Sequence, residues 1–130
     1  MILTEDNYVD RAESAIKRLQ KMKDKKDRYI PIVTTSKIRN LLAMTAGIYN
    51  DVLNIKGERL PQDITGRIQY LKVRFVYEAG REQGVKNLVE KAEILECLDG
   101  IGGSRQNYIL FSRYMEALVA FRKFIGGRDD

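Results

Sequence analysis

Apolar residues recur three and four positions apart along almost the whole chain, and few runs alternate as strands do. That period predicts helices almost throughout. Pro31 and Pro61, the two prolines, both fall where the period is interrupted. Thr4 is placed to cap a first helix, with Glu5 and Asp6 in the first turn, where the helix dipole favours negative charge. Its buried face is expected to be Tyr8, Ala12, Ala15, Ile16, Leu19 and Met22, before the pattern dissolves into Lys23–Arg28, a basic loop or frayed end. Thr34, Thr35 and Ser36 supply caps for a second helix with a broad apolar face from Ile38 to Val52. On its other side, Ala43, Ala46 and Gly47 either admit a close neighbour or merely fill the helix. Residues 54–60 read as a loop containing Gly57.

Pro61 suits the first position of a third helix that buries Ile64, Ile68, Leu71, Phe75 and Ala79. Gly80 and Gly84 predict a kink or short break, because each costs about 1 kcal/mol against alanine in a helix. A fourth helix carries Val85, Leu88, Val89, Ala92, Leu95 and Leu98 and ends at the Gly100–Gly103 turn. Ser104 opens a last helix rich in Phe111, Tyr114, Met115, Leu118, Val119, Phe121 and Phe124, which Gly126 and Gly127 close. The expectation is an all-α fold, a single-domain bundle of about five helices over residues 1–130, with a short polar tail after Gly127.

Composition narrows the chemistry. A chain of 130 residues buries roughly two thirds of its unfolded surface, enough for a core without disulfides or a structural metal. There is no histidine, so the usual general base and the commonest metal ligand are missing. Cys97 is the one cysteine and lies among apolar residues, which makes it packing and points to a reducing cytoplasm. The opening Met1–Asp6 lacks a basic region followed by an apolar run, and no stretch approaches the roughly 18 apolar residues of a membrane helix, so no membrane association is expected. Glu90, Glu93 and Glu96 read as a solvated face, and Gly100–Gly103 lacks the strand and lysine of a phosphate loop. No cofactor and no enzymatic activity are expected.

The formal net charge is +5, and the surplus is concentrated: residues 17–28 hold seven basic side chains against Asp24 and Asp27. This segment is either a solvated face or an electrostatic arm. The most informative feature is a stripe of Arg67, Tyr70, Arg74, Tyr77 and Arg81, spaced three or four apart along one side of the third helix. Guanidinium forks that grip phosphates, beside rings that stack on bases, are what sequence-tolerant single-strand binding requires. The same stripe also fits a border row whose arginine stems lie over the core with the tyrosines tucked under it. Lys37 and Arg39 stand in the first turn of the second helix, where cations oppose the dipole; with the free amides they suit a phosphate, or they point to water. Arg105, Arg113, Arg122 and Lys123 are scattered on the last helix, with Glu116 a candidate partner for Arg113 and Lys123.

Three blocks, in this order and at these separations, carry a resemblance. They are Thr34-Thr35-Ser36-Lys37-Ile38-Arg39-Asn40-Leu41-Leu42, the segment 70–82 (YLKVRFVYEAGRE) and the segment 113–127 (RYMEALVAFRKFIGG). The chain resembles the small subunit of the type III-A CRISPR Csm effector complex from about Tyr8 to Gly127. The resemblance implies a non-catalytic helical bundle, present in more than one copy, that stacks into a minor filament in antiviral defence. It implies that the backbone and large subunits of the Csm complex and other copies of itself are partners. A basic surface would face target RNA paired to the CRISPR guide RNA. Target cleavage would belong to the backbone subunits, and DNA cleavage and cyclic oligoadenylate synthesis to the large one. Carried over position by position, it favours Lys37, Arg39, Arg67, Arg74 and Arg81 as RNA-facing, Arg67 resting more on the stripe. The alternative is a protein-only assembly adaptor whose helix faces bridge other subunits without touching RNA.

Overall fold

Side-chain oxygens start two of the long helices where the sequence places them. Thr34 Oγ1 accepts the Lys37 amide at 3.1 Å and Ser104 Oγ accepts the Asn107 amide at 3.1 Å, each satisfying an amide that helix geometry orphans. The computed structural model describes residues 3–127; the polar tail expected after Gly127 lies outside the described residues. Six helices follow one another: α1 (Tyr8–Lys21), α2 (Thr35–Leu53), α3 (Gln62–Arg81), α4 (Gln83–Lys91), α5 (Ile94–Asp99) and α6 (Arg105–Ile125). Between them, among the described residues, lie only two isolated antiparallel bridges, Lys23 with Tyr29 and Arg59 with Ser104. The fold is an all-α bundle.

The predicted fourth helix is two. Ala92 ends α4, and Glu93 adopts φ 53° and ψ 43° before α5 begins. Left-handed angles in a residue with a Cβ break a helix, and the break turns Ile94, Cys97 and Leu98 into the core. The break expected near Gly80 and Gly84 sits between them, at Glu82, whose extended angles (φ −137°, ψ 128°) interrupt the helix. Gly84 has a separate reason to be glycine: a Cβ there would stand 3.1 Å from the Ile32 carbonyl and the Val33 amide. The segment before α2 therefore lies directly on α4. Thr4 and Asn7 exchange hydrogen bonds at 2.9 and 3.1 Å, so Thr4 caps the turn just before α1.

Helix α6 packs chiefly against α1 and α2, while α3 packs on α2, α4 and α5. Phe75 of α3 meets Phe111 of α6 edge to face, with ring centroids 6.3 Å apart, a geometry that the ring quadrupole favours. Two buried phenols tie α6 to its neighbours: Tyr108 Oη donates to the Thr45 carbonyl at 2.8 Å, and Tyr114 Oη donates to the Ala92 carbonyl at 2.9 Å. Arg105 closes the other end of α2 by donating to the Val52 and Leu53 carbonyls at 3.2 and 3.3 Å. Arg122, one of the four basic residues scattered along the last helix, is 1% exposed. Cys97 is buried, as its apolar setting implies. No described helix is long and apolar enough to cross a membrane.

Candidate nucleic-acid interface

Helices α2 and α3 run antiparallel, and an ion pair marks each half of their seam. Near the start of α2, Lys37 Nζ lies 3.4 Å from Glu82 Oε1. Near its end, Asp51 Oδ2 accepts from Arg67 Nη1 at 2.6 Å. The ordinary helical rise carries Arg67, Tyr70, Arg74, Tyr77 and Arg81 outward along α3 over about 21 Å. The tyrosines are displayed, not tucked under: Tyr70 is 63% exposed and Tyr77 57%. The border-row arrangement is therefore excluded for both rings.

The five candidate cations fall into two groups. Arg39 and Arg74 are exposed, and their side chains form no hydrogen bond or ion pair among the described residues. Lys37, Arg67 and Arg81 each hold a carboxylate. Arg81 Nη1 lies 3.0 Å from Glu78 Oε1, and its guanidinium stands 5.6 Å from the centre of the Tyr77 ring. Glu78 is itself buried, because it occupies an apolar position of α3, so Arg81 compensates a carboxylate at the edge of the core. All five stripe residues are exposed along α3, but the carboxylates that divide them lie on other turns and helices, and spacing does not report them.

Met44 and Gly66 carry no role in the sequence pattern, and Ile48 reads there only as part of the apolar face of α2. With Asp63, Arg67, Tyr70, Leu71 and Arg74 they line a groove between α2 and α3. Gly66 was the available signal, since a glycine inside a helix, one turn from Tyr70, opens space on the stripe's own side. Val73 and Val76 are also exposed on α3, at 59% and 50%.

The basic segment 17–28 is divided. Lys17 pairs with Glu13 at 2.9 Å on α1. Residues 22–30 form a tight turn: the Ile30 amide donates to the Met22 carbonyl at 3.1 Å, and Asp24 Oδ1 accepts from the Lys26 and Arg28 amides at 2.8 and 3.0 Å. It is a folded turn and not a frayed end. Arg113 stands 3.8 Å from Glu5, not from Glu116.

The chain matches the family model described as Csm2 Type III-A over residues 7–128. It is 49% identical over 128 residues to the CRISPR system Cms protein Csm2 of Streptococcus thermophilus, covering 98% of both chains. It is 40% identical over 129 residues to the protein of that name from Mycobacterium tuberculosis, covering 99% of both. The Csm2 of Enterococcus italicus is 33% identical over 119 residues, covering 87% of this chain and 85% of that one.

Proposed function

The chain belongs to the Csm2 family, the small subunit of type III-A CRISPR complexes, and from that membership we propose that its α2–α3 face contacts the target RNA paired to the guide. The observation that carries this reading is Arg74: a guanidinium in open solvent, without a carboxylate, between two displayed tyrosines. An unpaired arginine gives up no carboxylate when it turns to a phosphate, so its charge-assisted contact is not offset by a broken ion pair. Arg39, equally unpaired, extends the cationic path onto α2. Lys37, Arg67 and Arg81 reach a phosphate only by sharing or exchanging their carboxylates, and they act mainly as local positive field.

In this reading the subunit is non-catalytic. It works in the cytoplasm, stacks with other copies of itself in a minor filament and docks on backbone and large subunits. The RNA sequence is read by base pairing with the guide, while the protein supplies phosphate neutralisation and a rigid scaffold. The test is crosslinking of the assembled complex to target RNA. Crosslinks on α2 or α3 are expected, and their absence there removes the face from the RNA path.

One observation favours the protein-only adaptor. Val73 and Val76 are exposed on the helix that carries the tyrosines, and adjacent apolar side chains are what a protein partner covers. In that case the same crosslinking experiment yields protein adducts on α3 and no RNA adducts.

A further inference from the structure

The groove between α2 and α3 has a volume of about 610 Å³, within the ~300–1,000 Å³ of small-ligand clefts. Its floor is apolar, made by Met44 and Ile48 from α2 and Leu71 from α3. Gly66, Tyr70 and Arg74 follow at successive turns of α3, on one face. A Cβ at Gly66 would meet nothing within 4 Å, so open space lies one turn from Tyr70 in the groove that both residues line.

We propose that this groove receives one unpaired nucleotide of single-stranded RNA, its base lying on the apolar floor against Tyr70 and its phosphate held by Arg74. The proposal rests on the RNA-binding reading and adds to it a contact with one base that is not paired to the guide. A nucleotide unites a flat apolar face with an anion, as the groove unites an apolar floor with an unpaired guanidinium. An apolar helix from a protein partner would bury Arg74 without a counter-charge, which is strongly unfavourable. Asp63, the one carboxylate lining the groove, lies eleven residues from Arg74, about 16 Å along the axis, and so does not repel the phosphate. Stacking accepts any base, so no sequence preference is expected.

The experiment titrates the full-length chain with oligouridylate and with an abasic ribose–phosphate strand of equal length at one salt concentration. Wild type is expected to prefer the strand with bases by about tenfold, the scale of one stacked base. Tyr70→Ala removes the stack and Gly66→Leu fills the space. Both should bring the ratio near one without weakening binding of the abasic strand, while Tyr70→Phe keeps the preference. Thermal melts verify that the variants fold. A preference that survives Tyr70→Ala and Gly66→Leu overturns the groove. Equal binding of both strands by wild type overturns it too while leaving the RNA-binding reading standing. Binding of neither strand overturns the groove as well, and the RNA-binding reading then stands or falls on the crosslinks to α2 and α3.

Discussion

The Arg122 guanidinium, on the last turn of α6, donates Nε–H to the Val33 carbonyl at 2.6 Å. Its Nη1 donates to the Gly126 carbonyl at 2.9 Å. One buried side chain thus closes the C-terminus of α6 and pins the segment that leads into α2. Arg122→Met keeps most of the stem and removes these donors. A loss of about 2–4 kcal/mol is expected, since hydrogen bonds to a charged group contribute about 1.5–3 kcal/mol each and do not add fully. Urea unfolding measures it, and a variant as stable as wild type would show that water replaces the guanidinium.

Two helical glycines are expected to respond in opposite directions to the same change. Gly66→Ala enters open space and should gain up to about 1 kcal/mol from helix propensity. Gly84→Ala places its methyl 3.1 Å from the backbone of Ile32 and Val33, which no side-chain rotation relieves. It should lose about 1–3 kcal/mol, as overpacking does. Thermal denaturation of the pair decides it, and a Gly84→Ala variant as stable as wild type would contradict the packing of α4 on that segment.

Arg74 and Arg67 share one helix and are expected to fail differently. Arg74→Ala should leave stability within about 0.5 kcal/mol. It should weaken RNA binding several-fold and flatten the logarithmic salt dependence by about 0.7, one phosphate on a single strand. Arg67→Ala breaks the contact with Asp51 and should cost up to about 1 kcal/mol in stability, as exposed ion pairs do, with the smaller effect on RNA. RNA titrations across a salt series, paired with melts, separate the two roles.

Burial pushes the Cys97 thiol up from an ordinary value near 9 to about 12, with Glu93 and Glu96 adding to the rise. Each unit is a factor of ten in thiolate, so the folded chain should react with iodoacetamide about a thousandfold more slowly than the unfolded one. Burial raises the Tyr108 and Tyr114 phenols as well. The thiol's contribution is whole below about pH 9, where neither state ionises. It is lost as pH climbs from there through about 12, because the unfolded chain gives up its proton first. Stability should therefore fall over that window, and Cys97→Val should flatten part of the slope. Rapid labelling of the native chain at neutral pH would show that Cys97 is open to solvent.

Helix periodicity made the bundle legible because 3.6-residue spacing is a local property: Ile64, Ile68, Leu71 and Phe75 announce their face without reference to anything distant. Glu93 did not announce itself. Nothing in its type favours left-handed angles, and the burial of Ile94, Cys97 and Leu98 imposes them. Arg122 was illegible for a related reason, since its acceptors are backbone carbonyls that no residue type encodes. The stripe on α3 was readable as an alignment of Arg67, Tyr70, Arg74, Tyr77 and Arg81. Which arginines remain unpaired depends on Asp51 across the seam and on Glu78 at the core's edge. The groove depended on Met44 and Ile48 arriving from another helix.

Glu82 alone separates α3 from α4. Were its two torsions to turn helical, residues 62–91 would become one continuous rod of about 45 Å. Val85, Leu88 and Val89 would then be drawn out of the interior that they now fill. The elbow is held shut by that apolar triad and not by any preference of glutamate, so polar replacements there would favour straightening, and with it exchange of the α4 segment between neighbouring molecules.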